Sequence, residues 1–377
     1  MNRIHTTLWL SLFIAATSLG AQCQEPASSI TVSPSFVRDA FYGNAATFQV
    51  GLGDFDSDGD LDAVFANMNG SSEIWINDSA GRFTNSGQFL GAYAHGVGIG
   101  DLDGDNDLDL AFAQASTSFS SQVYLNNGTG RFTPSRHNLG DRVEAANSIA
   151  LLDLDGDGDL DVSVYYANRT NRVYLNDGTA QFEAFGPQMP GMACWGDVDG
   201  DGDVDAIAQQ HAGGYILFRN QGTALFESSA LIDAPTSFMP GGAAMGDIDR
   251  DGDLDLVGTS GGFDRITPLT LLKNNGEGVF TYTPEYNFLV SLSRISLGDF
   301  NEDGASDVFL GRLERPNGIG LNDGSGNFVD SGLQFGEDHM EGISAIGDLD
   351  GDGDLDLFVA VYGQGGPNEV WLNTTGE

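Results

Sequence analysis

The sequence predicts an all-β fold: a seven-bladed β-propeller of four-stranded antiparallel blades, closed by an N-terminal strand that completes the last blade. Three observations carry this expectation. A nine-residue motif, D-x-[DN]-x-D-[GN]-x-x-D, occurs seven times, starting at Asp54, Asp101, Asp153, Asp197, Asp247, Asp299 and Asp348. Successive starts lie 44 to 52 residues apart, the length of a four-stranded blade rather than of a short solenoid coil. The segments around each motif alternate large and small residues, and Asn/Asp-Gly turns join apolar runs, which is hairpin chemistry.

The elements follow in chain order. Residues 1–21 read as a secretory leader, with Arg3 ahead of the short apolar run Leu8–Ala16 and small residues at Ser18–Ala21. That run is too short for the ~20 residues of a spanning helix, so the mature protein is expected to be exported, without membrane insertion. Residues 22–29 are a linker, and 30–377 form a single propeller domain. Cys23 and Cys194 are too few for a disulfide framework, and both thiols are expected to be unpaired.

Within each repeat the residue two before the first Asp is large and apolar: Leu52, Ile99, Leu151, Trp195, Met245, Leu297 and Ile346. The residue before that is small: Gly51, Gly98, Ala150, Cys194, Ala244, Ser296 and Ala345. This alternation marks an inner strand, A, with two unlike faces. The acidic loop then leads to strand B, a variable loop to strand C, and an Asn-Gly turn closing on Phe to strand D. The last repeat ends at Glu377 after Trp371-Leu372-Asn373, without a D strand. Counting back from Asp54, Phe36 is the only Phe at the right distance, so Ile30–Phe36 is expected to supply the missing strand and remove the open edge.

The chain carries 55 Asp+Glu against 15 Lys+Arg, a formal charge of −40. Such a balance excludes unaided binding to nucleic acid or to an anionic membrane. The seven motifs hold 34 of the acids, and carboxylates so crowded need a compensating cation. Hard oxygen donors on a tight loop suit Ca²⁺. Side chains 1, 3 and 5 converge, the residue at position 7 serves through its backbone carbonyl, and the Asp at position 9 closes the site. The expected ligands are Asp54, Asp56, Asp58, Asp60 and Asp62; Asp101, Asp103, Asp105, Asp107 and Asp109; Asp153, Asp155, Asp157, Asp159 and Asp161. The later repeats supply Asp197, Asp199, Asp201, Asp203 and Asp205; Asp247, Asp249, Asp251, Asp253 and Asp255; Asp299, Asn301, Asp303, Ala305 and Asp307; Asp348, Asp350, Asp352, Asp354 and Asp356. Up to seven calcium ions are therefore expected. An EF-hand would need a Glu at position 12, where this chain has only apolar residues and Gly258.

Stretches such as Gly53-Asp54-Phe55-Asp56-Ser57-Asp58-Gly59-Asp60-Leu61-Asp62 resemble the FG-GAP/VCBS repeats of integrin α subunits and many secreted bacterial proteins. The resemblance covers about residues 28–377 and implies calcium in each loop through positions 1, 3, 5 and 9 and the position-7 carbonyl. The sixth loop departs most, with Asn301, Glu302, Ala305 and Ser306.

In a propeller the A–B and C–D turns share one face, and the variable loops make the other. Scarce basic groups gather toward that second face: His95, His137, His211, His339, Arg265, Arg312 and Arg315. They are the candidate ligand-binding residues. The expected function is a secreted, monomeric, non-catalytic binding or adhesion module for an extracellular protein or glycan. The alternative is a carbohydrate-active enzyme such as a polysaccharide lyase. No GxSxG, HExxH or Walker-type loop supports a catalytic site.

Overall fold

A computed structural model describes residues 33–375, apart from residues 117, 119, 140–143, 211–213, 235–241, 260–266, 291–292, 313–315, 337–339, 342 and 363–365. Its described residues form seven four-stranded antiparallel sheets, each a blade, and contain no helix. The first blade illustrates the plan: Thr47–Gly53, Asp62–Asn67, Ser71–Ile76 and Thr84–Ala92 pair in sequence order as strands A to D. The expected leader 1–21 and linker 22–29, with Cys23, lie outside the described residues.

The seventh blade takes its D strand from the other end of the chain. Phe36–Tyr42 pairs antiparallel with Asn368–Asn373, outside Asp356–Val359 and Ala345–Gly347. The closure is as expected but its strand is not. It begins at Phe36 rather than ending there, since in every blade the Phe closes the C–D turn and so opens the D strand. Phe36 faces Asn373 as Phe182 faces Asn176 and Phe328 faces Asn322. The Phe36 ring stands edge-on to Phe335 at 5.1 Å, and Tyr42 meets Trp75 and Phe83 of the first blade at 5.6 and 5.4 Å.

The hydrophobic core is divided into seven clusters, each lying between two adjacent blades. Phe55, Val64 and Ile74 of the first blade pack against Ile99, Leu110 and Phe112 of the second, and the cluster of Leu52, Phe65, Phe83 and Phe358 joins the last blade to the first. The small column of strand A makes this packing possible. A Cβ on Gly51 would stand 2.7 Å from Ile99, and one on Gly98 2.7 Å from Leu151.

Glycine before the acidic motif has the same cause. The apolar residue at position 8 of the next blade presses on it, as Leu108 on Gly53, Leu160 on Gly100, Leu254 on Gly196 and Leu355 on Gly298. Leu61 on Gly347 completes the circle. Leu152 breaks the glycine column where the next blade offers the smaller Val204, and the two share one cluster. Gly100→Ala is expected to cost about 1–3 kcal/mol through overpacking, because its Cβ would lie 2.4 Å from Leu160. A denaturation midpoint unchanged in this variant would refute that contact.

Cys194, in the small column, is a free and buried thiol whose Sγ lies 3.8 Å from the Ala243 carbonyl. Burial pushes that thiol up to about 12.

Candidate metal centre

Each acidic loop joins strand A to strand B, and its nine residues divide into two jobs. The Asp at position 9 sits at the start of strand B and is buried in every blade. One of its oxygens accepts the backbone N–H of the residue at position 2, as Asp62 does from Phe55 (3.0 Å) and Asp161 from Leu154 (2.9 Å). The other accepts the N–H of the Asn that ends strand C, as Asp62 does from Asn77 (2.8 Å) and Asp161 from Asn176 (2.9 Å). The same pair of bonds occurs at Asp109, Asp205, Asp255, Asp307 and Asp356. Burial, partly opposed by these N–H groups, pushes Asp62, Asp109, Asp255, Asp307 and Asp356 up to about 7 and Asp161 and Asp205 up to about 6.

Position 1 wraps the loop. Its two oxygens accept N–H groups from the residues that follow: Gly156 (2.8 Å) and Gly158 (3.1 Å) bond to Asp153, and Gly200 and Gly202 to Asp197. Position 5 accepts the N–H of position 7, as Asp157 does from Asp159 at 2.9 Å. The glycine at position 6 has positive φ, 98° at Gly158, and Asn106 takes its place in the second loop at 71°, as expected of the residue that tolerates this region best after glycine.

Position 7 turns its side chain away from the others. Asp107, Asp159, Asp203 and Asp253 lie against the turn glycines Gly128, Gly178, Gly222 and Gly276, so closely that a Cβ there would come within 2.5–2.9 Å of a carboxylate oxygen. Asp60 instead accepts a hydrogen bond from Ser79 Oγ at 2.7 Å.

The remaining carboxylate oxygens test the fit to a cation. Buried oxygens without any hydrogen-bond partner are found on Asp56, Asp103, Asp199, Asp249 and Asp350, all at position 3, and on Asp60 and Asp247. Burial and then the neighbouring carboxylates raise Asp56, Asp103, Asp199 and Asp350 above the usual carboxylate range. Oxygens that share one Ca²⁺ at about 2.4 Å lie within ~4.8 Å of one another. Ligand atoms of Asp54, Asp56 and Asp58 meet that limit of 4.8 Å, as do those of Asp101, Asp103 and Asp109, of Asp153, Asp155 and Asp161, of Asp197, Asp199 and Asp205, and of Asp247, Asp249 and Asp251. Orphaned, converging, all-oxygen donors fit a hard divalent cation.

Sequence reasoning missed a second role for the Asn that ends strand C. Its side-chain amide reaches back to the preceding blade and donates to the carbonyl of position 2 there. Asn126 bonds to Phe55 O, Asn176 to Leu102 O, Asn220 to Leu154 O, Asn274 to Val198 O, Asn322 to Ile248 O and Asn373 to Phe300 O. Asn77 closes the circle on Leu349 O of the last blade at 2.8 Å. The signal is an Asn at the same place in all seven repeats, a regularity that turn chemistry alone also produces.

The candidate ligand residues are less gathered than expected. His95 lies in strand Ala94–Gly100 rather than on a loop, stacked on Phe48 at 4.4 Å, with its Nε2 buried and without a partner. The Arg294 guanidinium, itself buried, stands 4.2 Å from the same Phe48 ring, and Tyr362 meets that ring edge-on. Arg312 ends strand Asp307–Arg312, with Nη1 3.5 Å from the Pro316 carbonyl. His137 lies in strand Thr133–Leu139. His211, His339, Arg265 and Arg315 lie outside the described residues. No helix among the described residues is long and apolar enough to cross a membrane.

Comparison with known proteins agrees with this architecture. One solved structure with a similar fold is the BP39L lectin from Burkholderia pseudomallei, 14% identical, with a TM-score of 0.58 over 89% of this chain and 98% of that one. Another is a chain from the crystal structure of BBS1N in complex with ARL6DN, 11% identical, with a TM-score of 0.56 over 91% of this chain and 97% of that one. At such identities the likeness is one of fold. No curated protein sequence matches. The model of the FG-GAP-like repeat matches four times, at residues 54–112, 101–164, 197–258 and 299–359, each match running from one acidic loop to strand B of the following blade. With more than half of its length so matched, the chain belongs to the FG-GAP-like repeat family.

Proposed function

We infer that this protein is a secreted calcium-binding propeller that acts as a non-catalytic binding or adhesion module. The observation that carries the reading is the set of buried, partnerless carboxylate oxygens repeated at position 3 of the loops. Positions 1, 3, 5 and 9 and the position-7 carbonyl would hold the ion, whose chemistry here is charge neutralisation and loop ordering. The chain's own residues do the rest: position 1 wraps the loop, position 9 anchors it to strand C, and the Asn amides couple neighbouring blades.

Calcium added to chelator-treated protein is expected to raise the melting temperature. It binds the folded loops selectively, and each site filled to 100 times its dissociation constant adds ~2.7 kcal/mol. Identical melting in calcium and in EDTA would remove the metal from the reading.

The ligand is placed on the face opposite these loops and is an extracellular protein or glycan. A lectin among proteins of similar fold makes glycans the first class to test. A glycan array probed in calcium, with wild type and Arg312→Ala, is expected to show binding that the variant weakens. An array without any signal would leave a protein as the ligand class, and binding unaltered by the variant would move the site away from Arg312.

A further inference from the structure

Three of the acidic loops have a carboxylate paired with a base. Arg219, the residue directly before Asn220 in the fourth blade, pairs with Asp199 at position 3 of its loop, and its other nitrogen donates to the Glu277 carbonyl in the next blade's C–D turn. Lys273, the only lysine in the sequence, repeats this one blade on. Its Nζ is 3.2 Å from Asp249 at position 3 and donates to the Ser325 carbonyl at 2.6 Å. Both bases lie over a glycine of the turn they reach, Gly278 and Gly326, where a Cβ would come within 2.8 and 3.1 Å of them. The other blades have Ile76, Leu125, Leu175, Leu321 and Leu372 at this place.

The sixth loop is neutralised differently. Arg250 extends from position 4 of the fifth loop, and its Nη2 donates to the carboxylate and the carbonyl of Asp303, at 2.9 and 2.7 Å. Its guanidinium lies over Gly324, the counterpart of the turn glycines that face the position-7 carboxylate in blades 2 to 5; here position 7 is Ala305. Asp303 also accepts from Ala305 N–H and from the Asn301 amide, so both of its oxygens are engaged. Among the described residues no other acidic loop has an ion pair with a base.

We propose that Arg219, Lys273 and Arg250 divide the seven loops into two classes of calcium site: four tight sites in blades 1, 2, 3 and 7, and three contiguous weaker ones in blades 4, 5 and 6. The proposal rests on the calcium reading above. Two effects of a resident base oppose each other. It can orient a ligand carboxylate, which helps the ion, and it repels the ion. Orientation adds little here. Asp56, Asp103 and Asp350 present a partnerless Oδ1 without any base, as Asp199 and Asp249 do with one. Repulsion therefore decides. A unit charge about 6 Å from a divalent ion in well-hydrated surroundings weakens its binding by about tenfold. By reciprocity, ion binding weakens the hold of the base by the same factor. Blades 4 to 6 thus keep one carboxylate of each loop paired in low calcium, when the other four have no such pair.

Calorimetric titration of Ca²⁺ into the chelator-treated full chain tests the division. Wild type is expected to resolve about four tight and three weaker sites, at least tenfold apart. The variant carrying Arg219→Leu, Lys273→Leu and Arg250→Gly places at each position the residue used in other loops. It is expected to tighten the weaker class by about tenfold and to melt lower than wild type in EDTA. Arg219→Gln with Lys273→Gln, which keeps a donor for each turn carbonyl, should tighten the two sites of blades 4 and 5 even where the leucine variant folds poorly. Seven equal sites in wild type, or a weaker class that neither variant tightens, would overturn the division while leaving calcium binding intact. Absence of both heat and thermal shift would overturn the calcium reading and the division with it.

Discussion

Replacing Asp161 by alanine is expected to destabilise the fold by about 2–6 kcal/mol, in chelator as well as in calcium. The carboxylate is buried and accepts the N–H groups of Leu154 and Asn176 at 2.9 Å each. Alanine leaves both donors buried without partners, at about 1–3 kcal/mol apiece. The cost of burying the charge, visible in a carboxyl pushed up to about 6, favours the lower half of that range. Asp157, at position 5 of the same loop, is exposed. Its replacement by alanine is expected to change stability in chelator by no more than about 0.5 kcal/mol and to weaken a single calcium site. Urea denaturation of both variants with and without calcium separates the roles. Equal losses for the two in EDTA would show that position 9 is no more structural than position 5.

Deletion of the chain through Tyr42 should prevent stable folding altogether. The strand Phe36–Tyr42 covers the edge of Asn368–Asn373, and its removal exposes that edge to solvent and to other chains. Phe36 and Tyr42 also leave two inter-blade clusters, and each large side chain lost from a core costs about 3–5 kcal/mol. Together these approach the whole stability of an ordinary domain, ~5–15 kcal/mol. Circular dichroism melting and size-exclusion chromatography would show loss of the cooperative transition and association through the open edge. A monodisperse truncated chain melting like the intact one would mean that the strand is an accessory rather than the closure.

The blade number, the strand order and the acidic loops were legible because each repeat states them independently. Seven motifs in register leave no freedom about periodicity, and alternating columns fix which strand is innermost. The closure strand was located but misplaced, because one aligned Phe fixes a point and not the direction in which the strand continues from it. Pairing with Asn373 shows that it continues toward Tyr42. Position 9 was read as a ligand, and in loops 2, 3 and 4 it does lie with positions 1 and 3. Its two bonds to backbone N–H groups, which hold in all seven blades, join residues 7 and 15 to 19 apart across a turn, and no local pattern announces them. The inter-blade Asn bonds span about 70 residues and, at the seam, 272, so only the closed ring reveals them. Arg219 and Lys273 were in plain view as exceptions in an otherwise aliphatic column. They carry meaning only once the carboxylates beside them are placed.

The seam has a mechanical consequence. Phe36 lies opposite Asn373, with Thr374 N–H bonded to Ser35 O at 2.7 Å beyond it, so both ends of the described chain leave the last blade from the same end of one antiparallel pair. Tension between the two ends would load that pair at its open end, and its hydrogen bonds would break in succession instead of sharing the load in shear. The outer strand would peel from Phe36 toward Tyr42 before any other blade felt force. Under tension the last blade is a low-force release, and the six continuous blades are shielded until it yields.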